Sequence, residues 1–159
     1  MRSFVMFVTT VCILFLLKLK LIGKLNLVGW GLLSGGGAQA NVLQQGELPV
    51  VLHEDCAKKY TRYDSGAHLC AGKGLESGSG GCRGDSGGPL VCQKDGTWYL
   101  QGAVSFGKQG CPTTAYTVFT RITTYIPWIN DKIGINNYMH VTYHQFCSLQ
   151  DLTGSSVKQ

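Results

Sequence analysis

Charge is scarce in this chain: only 14% of its 159 residues are Asp, Glu, Lys or Arg, against 44% hydrophobic. A sequence with so little charge and so much apolar material folds rather than staying disordered. The net charge is +5, yet no basic run exceeds two residues. A nucleic-acid surface gathers Lys and Arg on one face or stretch, so that class of partner has no support. There is no Cys-x-x-Cys pair and no His at metal-ligand spacing from a Cys. Zinc is therefore not expected, and no other cofactor is implied. A continuous apolar run of about 20 residues, the length needed to cross a bilayer, is also missing.

What is abundant points to an all-β chain. The 22 glycines suit short strands joined by tight turns and argue against a helical bundle. The length fits one ordinary domain and is short for two. Seven cysteines are an odd number, so at least one cannot pair within the chain.

The first residues stand apart. Arg2 precedes an apolar run from Phe4 to Leu17, the length of a signal-peptide core. Lys18, Lys20 and Lys24 follow it, and no Ala-x-Ala-like cleavage site appears. A cleaved signal, an uncleaved signal anchor and a misassigned first exon all remain open; membrane contact is expected only if this segment stays attached. We divide the chain into a signal-like or anchor segment at 1–24, a domain at 25–133 and a weakly ordered tail at 134–159. In that tail, His140 and His144 are spaced i, i+4, which can hold a metal on a helix, but an incidental pair is the plainer reading.

Within the domain, Leu25, Leu27 and Val28-Gly29-Trp30-Gly31 read as a strand running into a turn. Leu48-Pro49-Val50-Val51-Leu52 reads as the next strand. His53–Tyr60 suggests a short helical turn with Asp55 as its N-cap. Pro89–Cys92 and Trp98–Val104 flank Lys94-Asp95-Gly96, and Asp-Gly between two apolar runs signals a hairpin. Tyr116–Arg121 is a last strand. Ile122, Ile126, Ile129 and Ile133 then fall at helical spacing, which predicts a terminal helix packing one apolar face, with Pro127 in its first turn and Gly134 as its stop.

The chemistry concentrates in Gly80-Gly81-Cys82-Arg83-Gly84-Asp85-Ser86-Gly87-Gly88-Pro89-Leu90. Glycines packed around a serine suggest a strained turn that presents a hydroxyl and lets a carbonyl approach main-chain N–H groups. The amides of Gly84 and Ser86 are placed to receive an oxygen that gains negative charge. A bare Gly-x-Ser-Gly would be an ordinary glycine-rich loop, but the full Gly-Asp-Ser-Gly-Gly-Pro-Leu string is far more specific. It resembles the chymotrypsin/trypsin family of serine proteases. The likeness extends from Val28 to Asn130 and includes the Gly-Trp-Gly strand, with Thr117–Arg121 and Trp128-Ile129-Asn130 similar to elastase-type members.

The resemblance implies the C-terminal half of that fold: one six-stranded antiparallel Greek-key barrel followed by a helix, without the N-terminal barrel. It implies serine endopeptidase chemistry on peptide or protein substrates, with Ser86 as nucleophile and the Gly84 and Ser86 N–H groups as oxyanion hole. It places Gly80 at the floor of the primary specificity pocket, where trypsin-like members carry an aspartate, and Gly81, Ser105, Phe106, Gly107, Tyr116 and Thr117 in its walls. It implies disulfides Cys56–Cys70 and Cys82–Cys111, and hence an oxidising, secreted setting. The family partner of Cys92 falls at Leu25, so Cys92 is expected as a thiol.

Two departures bear on activity. The catalytic His lies in an Ala-Ala-His-Cys context in the family and the catalytic Asp in an Asp-Ile-Ala-Leu-like one, and neither string occurs here. Of the four histidines, His53 and His68 fall at positions that face away from the nucleophile. The freed N-terminus that pairs with the aspartate before the serine is also missing, which leaves Asp85 expected without a partner and the oxyanion hole poorly ordered. The expectation is a truncated family member, inactive alone unless a first barrel is supplied. The alternatives are a non-enzymatic half-protease that binds peptides or a partner, and a membrane-anchored interaction protein.

Overall fold

The computed structural model describes residues 25–74, 79–94 and 96–134. The Phe4–Leu17 segment, the 134–159 tail beyond Gly134, and Asp95 of the hairpin signal lie outside them. Six strands form one antiparallel sheet: β1 (Leu25–Gly29), β2 (Gln44–Leu48), β3 (His68–Ala71), β4 (Pro89–Lys94), β5 (Thr97–Gly107) and β6 (Thr117–Arg121). Among the described residues two helices accompany them, α1 (His53–Lys59) between β2 and β3, and α2 (Ile122–Ile133) directly after β6. The strand order is β2-β1-β4-β5-β6-β3.

The two outer strands are drawn together by the chain that follows β2. Val50 bridges Ala71, the Val51 N–H donates to Cys70 O at 2.9 Å, and the Gly72 N–H donates to Pro49 O at 2.9 Å. The sheet thereby curls into a barrel with its edges covered.

This junction corrects the expected strand at Leu48–Leu52. Regular pairing runs earlier, from Gln44 to Leu48, against Gly29 to Leu25. Pro49 has no N–H to continue that ladder, and beyond it the chain changes partner from β1 to β3. β2 itself reads Gln-Gln-Gly-Glu-Leu with only Leu48 buried, so it carries no alternation that a sequence reading could find.

The two-residue period of the strands sorts the core into two clusters. Leu25, Leu27, Leu48, Ala71, Leu90, Cys92, Val104 and Phe119 fill the barrel. Val51, Cys56, Cys70 and Val118 pack beneath α1, joined by Tyr60, Tyr63, Phe106 and Tyr116. Neighbours in sequence face opposite ways: Cys70 and Val118 lie under the helix while Ala71 and Phe119 point into the barrel. The Cys56–Cys70 disulfide staples α1 to β3.

The hairpin between β4 and β5 pairs Lys94 with Thr97, and Gly96 takes φ +79°, a conformation glycine adopts freely. Further along β5, Val104 pairs with Phe119 and Phe106 with Val118, so Ser105 is the extra residue of a bulge and stands exposed.

Both helices depart from expectation in detail. The N-cap of α1 is Leu52, with no side-chain cap; Asp55 lies inside the first turn, where its carboxylate meets Lys58 at 2.9 Å. A carboxylate there still suits the positive end of the helix. Gly134 ends α2 at φ +69°, but Pro127 is its sixth residue rather than a first-turn one. The apolar face of α2 is only partly covered. Ile122, Ile126 and Ile129 are half-buried, and Trp128 and Ile133 are 61% and 60% exposed.

Cys92 also differs from expectation. It is directly opposite Leu25 in the β1–β4 register and fully buried, but it is disulfide-bonded rather than a thiol.

Candidate active site

The segment from Ser79 to Gly88 connects the far side of the barrel to β4, and its shape is held at several fixed points. The Cys82–Cys111 disulfide ties it to the loop after β5. The Gly81 N–H donates to Thr117 Oγ1 at 2.9 Å, and the Leu32 N–H donates to Arg83 O at 2.8 Å. At its far end the Gly87 N–H donates to Val104 O and the Val104 N–H to Gly88 O, both at 2.9 Å. These contacts come from β6, from the chain after β1 and from β5, so the loop is clamped on three sides.

Two tight turns set the serine. The Asp85 N–H donates to Cys82 O at 3.0 Å, and the Gly88 N–H donates to Asp85 O at 2.8 Å. Gly84 and Gly87, on either side of Asp85-Ser86, have φ of +94° and +78°. A Cβ at either position would be strained, which is the physical reason for glycine there. Ser86 is exposed. Among the described residues, no acceptor takes the N–H of Gly84 or of Ser86.

Asp85 is 9% exposed and is not left without partners. Its Oδ1 accepts the Gly31 N–H at 2.8 Å and its Oδ2 accepts the Cys82 N–H at 2.9 Å. Among the described residues no ion pair reaches it, but the carboxylate is not left bare as expected: two main-chain donors satisfy it. The Gly-Trp-Gly strand end makes this possible. A methyl group on Gly29 would lie 2.1 Å from Oδ1, and one on Gly31 2.3 Å from Oδ2. The role of Gly29 and Gly31 as the cradle of Asp85 went unread in the sequence; two glycines alternating around a tryptophan were the available signal.

Beside Asp85 lies a cavity of about 220 Å³ that Gly29, Gly31, Gln44, Ser79 and Gly80 help to line. A second, much smaller one gathers Gly80, Gly81, Gly107, Tyr116 and Thr117 from three separate segments, together with Lys108, Cys111, Pro112 and Ala115. Its volume is about 10 Å³, room for roughly one water molecule. Ser105 and Phe106, expected in its walls, do not line it. Ser105 stands out on its bulge, and the Phe106 ring lies edge-on to Tyr60 and His68, 5.8 and 5.4 Å away.

The two described histidines are engaged elsewhere. His53 bonds to Tyr63 and Arg121, and the His68 Nδ1 accepts the Asp64 N–H at 3.1 Å. Among the described residues, no hydrogen bond or ring contact joins either of them to the Ser79–Gly88 loop. Burial, and then the Arg121 charge, hold the His53 pKa below its ordinary value. His140 and His144 lie outside the described residues. Among the described residues, no group of three His, Cys, Asp or Glu side chains could hold a metal ion.

An exposed serine in a glycine-shaped turn, a buried aspartate beside it, and an antiparallel barrel clamping both are now in place. The sequence matches the trypsin family model over residues 17–129, more than half of the chain. The chain belongs to the trypsin family. Its members are serine endopeptidases that act on peptide or protein substrates, and their disulfide-bonded domains are typical of secreted proteins. In this trypsin-family chain, no helix among the described residues is long and apolar enough to cross a membrane.

Proposed function

We propose that Ser86 is the nucleophile of an acyl-transfer site, with the Gly84 and Ser86 N–H groups as its oxyanion hole, and that the 159-residue chain alone is close to inert as a hydrolase. The observation that carries this reading is the split between the two halves of the chemistry. The loop carrying Ser86 is clamped in place, and among the described residues no acceptor takes the Gly84 or Ser86 amide. No described histidine reaches it. A serine hydroxyl is a poor nucleophile until a base removes its proton, and loss of triad members costs several orders of magnitude. Electrostatic stabilisation without proton transfer leaves only a residual rate.

Asp85 fits the same reading. Its two amide partners fix the carboxylate and therefore the turn that carries Gly84 and Ser86. The 220 Å³ cavity against it has room for an α-ammonium group, which pairs with this aspartate in the family. The chain then works as the nucleophile-bearing half of a trypsin-family enzyme, and the acid–base pair, which no described residue supplies at Ser86, is expected from a first barrel.

A second reading has its own support. Trp30 and Leu33, next to the loop's anchor at Gly31 and Leu32, are 53% and 63% exposed. Apolar surface of this kind suits a non-enzymatic module that binds a peptide or protein partner.

Labelling with a fluorophosphonate separates the two. The chain alone should label at Ser86 weakly or not at all. A chimera that joins residues 25–134 to a first barrel carrying the family's His and Asp should label stoichiometrically, and Ser86→Ala should abolish it. A chimera that folds but stays unlabelled favours the binding module. Strong labelling of the chain alone overturns the inert reading.

A further inference from the structure

Behind the cleft, on the face carrying α1, three side chains and one main-chain carbonyl, from four segments, form one polar cluster. Arg121, the last residue of β6, donates from one guanidinium nitrogen to His53 Nε2 at 3.1 Å and to His68 O at 3.0 Å. Tyr63 bonds to the other side of the His53 ring, at Nδ1, and its hydroxyl also reaches His68 O at 3.4 Å. A guanidinium has donors only and cannot accept. His53 Nε2 must therefore present its lone pair to Arg121, and the proton of the neutral ring sits on Nδ1, facing Tyr63. This arrangement exists for neutral His53 alone, because an imidazolium has a proton on both nitrogens.

We propose that His53 is a proton-operated latch: neutral, it fastens α1 and the 60–68 loop to Arg121, and protonated it lets them go. Protonation would replace an acceptor by a donor facing a donor and set a second positive charge about 3 Å from the first. The other charged groups nearby are committed elsewhere. Asp55 on α1 meets Lys58, and the Asp64 carboxylate accepts the Gly66 N–H at 2.8 Å. Arg62 lies over the Phe106 ring at 5.2 Å, and His68 takes the Asp64 N–H on its Nδ1. Glu54 is the remaining acid beside His53 on α1, and it makes no ion pair among the described residues. Glu54 does not register at the His53 ring, which is influenced by burial and Arg121 and by no carboxylate, and among the described residues Arg121 makes no ion pair that could relax toward one. Its Nε is buried without a partner, so the guanidinium already relies on the two acceptors it has.

The latch bears on the cleft through Phe106. That ring is packed edge-on by Tyr60 and His68, the two ends of the loop the latch holds, and it sits in β5 between the bulged Ser105 and the cavity-lining Gly107. Acid should loosen the support of this stretch of β5 while the barrel remains closed.

Amide hydrogen exchange on the full disulfide-bonded chain, corrected for intrinsic rates, tests the proposal from pH 8 to pH 5. The reporters are the His68 and Arg121 amides, which donate to Asp64 O and Ala67 O at 2.8 Å. Their protection should fall by up to about tenfold per pH unit below pH ~6.5, the ordinary histidine value, the slope of a single proton. Protection at Gly87 and Val104, on the other side of the barrel, should stay flat. His53→Gln keeps an acceptor but cannot titrate, so it should flatten the His68 and Arg121 profiles. If that variant does not fold, the His53 ring titration followed by NMR in the unmodified chain decides, and its midpoint should lie below 6.5. A flat profile, an equal slope at Val104, a slope surviving in His53→Gln, or one that tracks the His68 titration would each overturn the latch.

Discussion

The Gly31 N–H and Asp85 Oδ1 are 2.8 Å apart across 54 residues of chain, and this bond joins the end of β1 to the turn carrying Ser86. With the Cys82 N–H on Oδ2 it supplies main-chain donors to a buried carboxylate. Removing the carboxylate should therefore be worse than neutralising it. Asp85→Ala leaves two donors without acceptors at about 1–3 kcal/mol each, whereas Asp85→Asn keeps one acceptor. Gly31→Ala should cost about 1–3 kcal/mol as well, because the added methyl overlaps the carboxylate. Urea unfolding of the three variants checks the order, and an Asp85→Ala chain as stable as Asp85→Asn would count against the cradle.

Thr117 should act through its hydroxyl as well as its bulk. It is 3% exposed, and its Oγ1 accepts the Gly81 N–H. Thr117→Val keeps the shape but strands that N–H, so we expect a loss of about 1–3 kcal/mol. Thr117→Ser should recover most of it. Equal stability for the valine and serine variants would show that the hydroxyl contributes nothing.

The alkaline limb of stability should belong to Tyr60 and Tyr63. Burial raises both phenol pKa values, and in Tyr63 it outweighs the opposing Arg121 charge. A raised phenol pKa means that the folded chain keeps a proton the unfolded chain releases. This contribution is complete below the ordinary value of about 10 and is lost as pH rises through the folded values. Thermal melts from pH 8 to 11 should show stability falling above pH ~10. Tyr60→Phe and Tyr63→Phe should each weaken that fall, and a double variant with the same slope as the parent would refute the assignment.

The two staples in the described core differ in the loop they close. Cys82–Cys111 spans 29 residues and Cys56–Cys70 spans 14. Chain-entropy reasoning puts their contributions at about 3–4 and about 3 kcal/mol. Double-serine variants should unfold in that order in urea. In the intact chain, Cys92 should resist alkylation without reductant, since it is buried and disulfide-bonded; stoichiometric alkylation at Cys92 would contradict this.

How much of this was legible depended on whether a residue's role is local. β4, β5 and β6 announce themselves by apolar and β-branched residues, and Asp-Gly marks the turn between the first two. The spacing of Ile122, Ile126 and Ile129 gives α2, although Ile133, the last of that series, ends largely exposed. β2 is hidden because only Leu48 is buried, and its switch of partner is set by Pro49, whose missing N–H the sequence shows but whose consequence needs β3 nearby. The turn carrying Ser86 is a contiguous string and could be read directly. The partners of Asp85 could not, since they are backbone groups of glycines far along the chain. The fate of Cys92 was misread because the residue opposite it, Leu25, offers no sulfur.

The last prediction concerns specificity, for the chimera described above. Gly80 carries no charge, and a Lys or Arg side chain entering beside it would lose water without gaining a counter-ion, so basic P1 residues should be rejected. A Cβ on Gly107 would be 3.6 Å from Tyr116 O, ordinary contact, so the glycine leaves the rim open but does not mark a point of strain. Depth is the tighter limit. Thr117 is one of the residues lining the cavity, whose volume of about 10 Å³ has room for little beyond one water. Ala at P1 should therefore be preferred over Val and Leu, and these over Phe, Trp and Arg, in graded fashion, since each methylene changes such a pocket by about 1–3 kcal/mol. Two variants separate charge from depth. A Cβ on Gly80 would meet Thr117 Oγ1 at 3.4 Å, also ordinary contact, so Gly80→Asp meets no overlap at its first side-chain atom and should raise the rate on Lys and Arg substrates. Thr117→Gly removes the obstruction and should shift preference toward Phe and Tyr, although it also removes the acceptor of the Gly81 N–H and should lower the overall rate. A P1-varied peptide library on the three chimeras measures all of this. Preference of the parent for Arg or Lys would overturn the role given to Gly80, and preference for Phe or Tyr would overturn that of Thr117.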